Sequence, residues 1–162
     1  MSTATVDAPF APETMARRYQ APGWFNRRVF NPTVQFLTRR GLSVAGSHEL
    51  TVVGRISGEP RRTVLNVLTL DGERYLVAPR GHTAWVKNLR AAGEATLRVG
   101  RRHDHVTATE LADDDKAPVL RAYLARWGWE VGALFEGLDR NADDATLRAA
   151  APGFPVFRVE GA

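Results

Sequence analysis

The chain has 162 residues, 44% hydrophobic and 25% charged, the composition of an ordinary folded domain with enough chain for one sizeable core. Lys and Arg number 22 against 18 Asp and Glu, a net charge of +4 with pI near 10.1, which suits an anionic partner without choosing among nucleic acid, acidic lipid and a phosphorylated small molecule. The absence of cysteine excludes a disulfide framework, a thiolate zinc site and a cysteine nucleophile, and it is compatible with a reducing cytoplasm. No run reaches the roughly 18 apolar residues of a membrane span.

In chain order, residues 1–13 are small, polar and Pro-containing, and read as a disordered tail without the apolar core of a secretory signal. Residues 14–162 are expected to form a single domain. "NPTVQFLTRRG" over 31–41 predicts a helix, with Asn31 as cap, Pro32 in the first turn and Gly41 at the close. "ELTVVG" and "TVLNVLTL" read as strands joined by "GRISGEPRR", and Asp71-Gly72 signals a hairpin into a third strand, "ERYLVA". Thr83 to Gly93 predicts a short helix, "EATLRVG" and "HDHVTATEL" two more strands, and "DDDKAPVLRAYLARWG" a helix ending at Gly128. "WEVGALFEGL" and "DDATLRAAA" predict two short helices, the second capped by Asp143 or Asp144, before a final strand "FPVFRVE". About six mostly antiparallel strands with helices at both ends predict an α+β fold built on an antiparallel barrel.

Two stretches carry candidate chemistry. In "GRISGEPRR" a Gly-containing turn, the Ser57 hydroxyl and Arg55, Arg61 and Arg62 supply fixed donors and charge for a phosphate. The same letters also describe a solvated hairpin with protected edges. In "VAPRGHTAWVKNLR" a strand runs through a basic loop into a helix N-terminus, so Arg80, Gly81, His82 and Thr83 offer a second anion site. Trp85 and Asn88, three apart, share a helical face as either a ring-binding surface or a core tryptophan beside a surface asparagine. His103 and His105 alternate on one strand with no third metal ligand nearby, and no serine sits in a G-x-S-x-G elbow. Trp127 and Trp129 read as helix packing or as the wall of a substrate pocket.

Taken together, "LTVVGRISGEPRRTVL" and "YLVAPRGHTAWVKNLRAAG" resemble the deazaflavin-dependent nitroreductase family of the split-β-barrel (FMN-binding-like) flavin and deazaflavin oxidoreductases. Gly54, Arg55, Ser57, Gly58 and Arg61 match its G-R-x-S-G-x-x-R hairpin, and Arg80, Gly81, Trp85, Asn88 and Leu89 match its basic loop and W-x-x-N-L helix. The resemblance implies a split barrel binding the 8-hydroxy-5-deazaflavin coenzyme (coenzyme F-420), with FMN as the alternative cofactor. It implies hydride transfer to an electron-poor acceptor such as a quinone or nitro compound, and it suggests no covalent catalyst. By carry-over Arg55, Ser57, Gly58, Arg61 and Arg62 would hold the anionic tail, while Val77, Ala78, Arg80, Gly81, Trp85 and Asn88 would line the ring and ribityl portion. Where many relatives carry Ser-Lys this chain has Pro79-Arg80, and Pro79 offers neither a hydroxyl nor an N–H, so the acceptor is not carried over. The competing expectation is a non-catalytic split barrel holding a fatty acid at a membrane, motivated by the aromatic and arginine content of residues 24–40. A cytoplasmic location and a homodimer complete the expectations. Nucleic acid is not an expected partner, because the cations sit in turns and no aromatic strand motif accompanies them.

Overall fold

The computed structural model describes residues 10–20, 47–135 and 137–162. The helix expected over 31–41 and the candidate membrane contact at 24–40 lie outside the described residues.

Six antiparallel strands close a barrel: β1 (Ser47–Val53), β2 (Pro60–Leu70), β3 (Glu73–Val77), β4 (Glu94–Val99), β5 (Arg102–Glu110) and β6 (Val156–Gly161), in the spatial order β1-β2-β3-β6-β5-β4. β1 closes the ring by pairing with β2 on one side and with β4 on the other. Period-2 alternation divides the buried side chains between two cores. Leu50, Val52, Leu76, Leu97, Val106 and Phe157 point into the barrel, where helix α2 (Ala84–Ala92) adds Val86 and Leu89. The neighbouring strand positions Leu68, Val77 and Val156 face outward, under helices α3 (Ala117–Val131) and α4 (Asp144–Ala150).

Among the described residues the elements read from sequence are present, with three shifts. β2 begins at Pro60, so Arg61 and Arg62 are strand residues paired with Val52 and Thr51 rather than turn residues. α3 continues through Gly128 to Val131 and into a 3-10 turn at Gly132–Phe135, because Trp127 and Phe135 both bury against the barrel and hold the chain helical past the glycine. The expected tail overlaps helix α1 (Pro12–Ala16), which is anchored by Met15, only 1% exposed. The Met15 sulfur packs where Gly153 lacks a side chain.

Behind α1 the chain is strapped to the barrel. The Tyr19–Gly81 bridge is flanked by Gln20 N–H donating to the Arg80 carbonyl at 2.7 Å and His82 N–H to that of Arg18 at 2.8 Å. Gly81 permits this approach: its φ is +87°, and a Cβ there would collide with the Arg18 carbonyl. The Arg18 guanidinium, 5% exposed, donates to the carbonyls of Pro79 at 2.7 Å, Gly153 at 3.2 Å and Leu134, and lies 4.2 Å over the Phe154 ring. A buried cation with this many acceptors is satisfied, and it fastens three separate segments together.

Gly81→Ala adds both positive-φ strain and the carbonyl clash, so it should cost about 2 kcal/mol or more and lower Tm by roughly 4–8 °C in calorimetry. Asp143 caps α4 by accepting from Thr146 N–H at 2.8 Å, and hydrogen bonding from Thr146 is the main cause holding its carboxyl below the usual value. Its folded value lies below the unfolded one, so the cap stabilises fully above the unfolded value and is lost as pH falls through the folded one. The stability difference between wild type and Asp143→Ala should therefore shrink as pH falls from 6 toward 3, in paired thermal melts.

Candidate cofactor site

The turn between β1 and β2 is closed by Gly54 N–H donating to the Glu59 carbonyl at 2.8 Å and Gly58 N–H to the Gly54 carbonyl at 2.9 Å. Gly58, at φ +72°, makes this reversal possible. Ser57 Oγ accepts from Glu59 N–H at 3.2 Å and from Arg61 Nη2 at 3.3 Å, which leaves its own proton to be donated elsewhere. Across from this turn stands α2. Its Asn88 is 5% exposed, and its Oδ1 accepts from Arg55 N–H at 3.1 Å and from Arg55 Nη1 at 2.9 Å. Both partners are donors, so the amide must present its carbonyl oxygen to them.

Between the turn and the helix lies a cleft of about 660 Å³. Arg55, Ser57, Arg61 and Arg62 line it from the barrel side, and Arg80, Thr83, Trp85 and Asn88 from the loop and α2. Trp85 and Asn88 thus share one face, as their spacing predicted. Trp85 backs onto Phe157 of the barrel, with ring centroids 6.0 Å apart, and turns its remaining surface to the cleft. Tyr19, at the edge, enters through the strap described above.

The charges are uneven. Among the described residues Arg55, Arg61 and Arg62 have no carboxylate partner, whereas Arg74 pairs with Asp104 at 2.5 Å, Arg90 with Glu110 at 2.7 Å and Arg121 with Asp144 at 2.7 Å. Thr83, the N-cap residue of α2, is 6% exposed, and among the described residues its Oγ1 has no hydrogen-bond partner. A buried hydroxyl without a partner among the described residues, in a cleft lined by arginines and headed by a helix N-terminus, is the complement of a polar, anionic ligand.

Several expected site residues lie elsewhere. Val77, the last residue of β3, and Ala78, just past it, are each 1% exposed and fill the outer and inner cores respectively, because consecutive residues of an extended chain point to opposite faces. Gly81 meets the strap, and Gly58 shapes the turn from outside the lining. His82 faces away: Nε2 contacts the Pro152 carbonyl at 2.9 Å, which fixes the proton there, and Nδ1 accepts from Arg90 at 3.1 Å. Trp127 is 1% exposed with its ring 4.9 Å from that of Tyr123, and Trp129 is 79% exposed with its Nε1 donating to the Arg126 carbonyl, so neither lines the cleft. Among the described residues no three His, Asp or Glu gather as for a metal, and His105 instead approaches Glu94 at 3.4 Å. Sequence reasoning missed Tyr19, whose mooring lies some sixty positions away and leaves no periodic signal.

Asn88→Ala strands the Arg55 N–H and should cost about 1–3 kcal/mol in denaturant titration. Asn88→Asp keeps both acceptor bonds but lowers the positive charge of the cleft by one, so it should stay folded while losing affinity for pyrophosphate in calorimetry.

The sequence profile of the family described as F420H(2)-dependent quinone reductase matches residues 22–129. None of the curated proteins matches the chain. A solved structure of an F420-H2 dependent reductase (FDR-A) is similar at 21% identity and a TM-score of 0.50, covering 71% of this chain and 94% of its own. A structure described as a domain-swapped dimer has 18% identity and a TM-score of 0.53, covering 80% and 95%. Atu2129, of unknown function, from Agrobacterium tumefaciens str. C58, has 16% identity and a TM-score of 0.52. The match covers 87% of this chain but 59% of Atu2129. These likenesses are of fold. The profile match, spanning the β1–β2 turn, the basic loop and α2, decides the family: the chain belongs to the F420H(2)-dependent quinone reductases, deazaflavin-dependent oxidoreductases, here on a six-stranded split barrel.

Proposed function

We propose that the cleft holds the deazaflavin coenzyme with its phosphate and acidic tail against Arg55, Ser57, Arg61 and Arg62, and its ring end against Arg80, Thr83 and Trp85, and that the electron acceptor is a quinone. The observation carrying this reading is that, among the described residues, Arg55, Arg61 and Arg62 have no carboxylate partner and line one cleft with a Thr83 hydroxyl that has no hydrogen-bond partner. When bound, the reduced coenzyme supplies a hydride to the acceptor.

The chain's own contribution is placement. The planar guanidiniums of Arg55 and Arg61 hold pairs of anionic oxygens, and Arg55 does so from a position fixed by Asn88. Ser57, already accepting twice, has its proton to give to a phosphate oxygen. The start of α2 adds partial positive charge and the Thr83 hydroxyl. Trp85 provides a flat apolar surface for a planar ring, held in orientation by Phe157.

Titration with the coenzyme, followed by its fluorescence, should show micromolar or tighter binding that weakens as salt rises. Arg61→Ala should weaken it about tenfold to a hundredfold, the loss of a charge-assisted hydrogen bond. An intact fold with no binding at tens of micromolar would overturn the reading.

A further inference from the structure

The strap that moors the N-terminal segment brings Tyr19 to the cleft. Tyr19 lines the cavity, is 55% exposed, and makes no side-chain hydrogen bond among the described residues. Its backbone is held by long-range pairing. The bridge to Gly81 fixes it, and the adjoining Arg18 is buried and tied to carbonyls of three segments. A tyrosine moored by its backbone at a cavity wall, with no side-chain hydrogen bond among the described residues, is an arrangement for meeting a ligand. The position also distinguishes it from the arginines. Tyr19 adjoins the 80–82 loop at the N-terminal end of α2, whereas the Arg55 turn adjoins Asn88, beyond the first turn of that helix. Tyr19 also precedes the stretch matched by the family profile, so it is a feature of this chain outside that profile.

We propose that Tyr19 is the acceptor-side catalytic residue, donating a hydrogen bond and then a proton from Oη to the quinone oxygen that becomes anionic as hydride arrives. The inference rests on the reading of the cleft as a coenzyme and quinone site. The balance is simple: the hydride brings two electrons and one hydrogen nucleus, and Oη brings the proton that completes the hydroquinone. The tyrosinate left behind is reprotonated from water, to which this half-exposed side chain has access. A phenol suits the role because it is an uncharged donor at neutral pH and its ring packs flat against a planar acceptor.

The test compares wild type with Tyr19→Phe, which keeps the ring, and Tyr19→Ala, which removes it. Both variants should bind the coenzyme as wild type does in the fluorescence titration. Tyr19→Phe should reduce a water-soluble quinone with kcat lowered about a hundredfold and KM raised no more than about tenfold, whereas Tyr19→Ala should raise KM further. In calorimetry with oxidised coenzyme present, the matching hydroquinone should bind Tyr19→Phe about twofold to tenfold more weakly than wild type, as loss of one hydrogen bond requires. Wild-type kcat in Tyr19→Phe overturns the inference, and so does a loss of coenzyme affinity that accounts for the lowered rate. Wild-type protein that binds coenzyme yet reduces no quinone overturns the acceptor reading itself, and this inference with it. That failure is recognised without any variant.

Discussion

The site depends on one buried oxygen. Asn88 Oδ1, accepting from the backbone and side chain of Arg55, joins helix α2 to the β1–β2 turn, two pieces of chain that otherwise face each other across a cleft. Without that link the turn would rest on its own closing bonds and the direction of Arg55 would be set by solvent. With it, a cation is held inward in a wall of fixed shape. The amide serves because it accepts twice without adding negative charge, which a carboxylate would do at the cost of the local positive potential.

That potential separates a binding site from a decorated hairpin. Elsewhere on the surface some arginines are paired with acids, as in Arg74–Asp104 and Arg90–Glu110. Exposed pairs of that kind add little stability. Among the described residues no acid pairs with Arg55, Arg61 or Arg62, although Glu59 lies in the same turn, and three clustered cations so placed favour an anion. Thr83 makes the same point in neutral form: a hydroxyl buried at a helix start without a partner is tolerated where a ligand completes it.

Much of this was legible in the sequence, and the rest was hidden for physical reasons. Alternation in "ELTVVG" and "TVLNVLTL", the Asp-Gly hairpin and the Thr83-to-Gly93 helix follow local rules, so the barrel and α2 were readable. The paired motifs marked the cleft before its geometry was known. Local rules could not say that Val77 and Ala78 enter different cores, since that depends on which face of β3 each barrel layer claims. Nor could they distinguish a surface Asn88 from a buried one, because its partner lies thirty-three positions away. Gly81 looked like part of an anion loop, and its conformation instead serves the close passage of Arg18. Tyr19 was invisible for the same reason, since a strap formed by long-range backbone bonds leaves no spacing to read.

The central claim is that the arginine turn and the start of α2 are two ends of one cofactor groove. A crystal structure of the protein with the deazaflavin coenzyme bound tests it most directly. The account predicts the phosphate and tail carboxylates within hydrogen-bond distance of Arg55, Arg61 and Ser57, with the ring system lying along Trp85 and a polar atom reaching Thr83 Oγ1. A coenzyme bound with its tail away from the β1–β2 turn, or with Thr83 still without a partner, would contradict it.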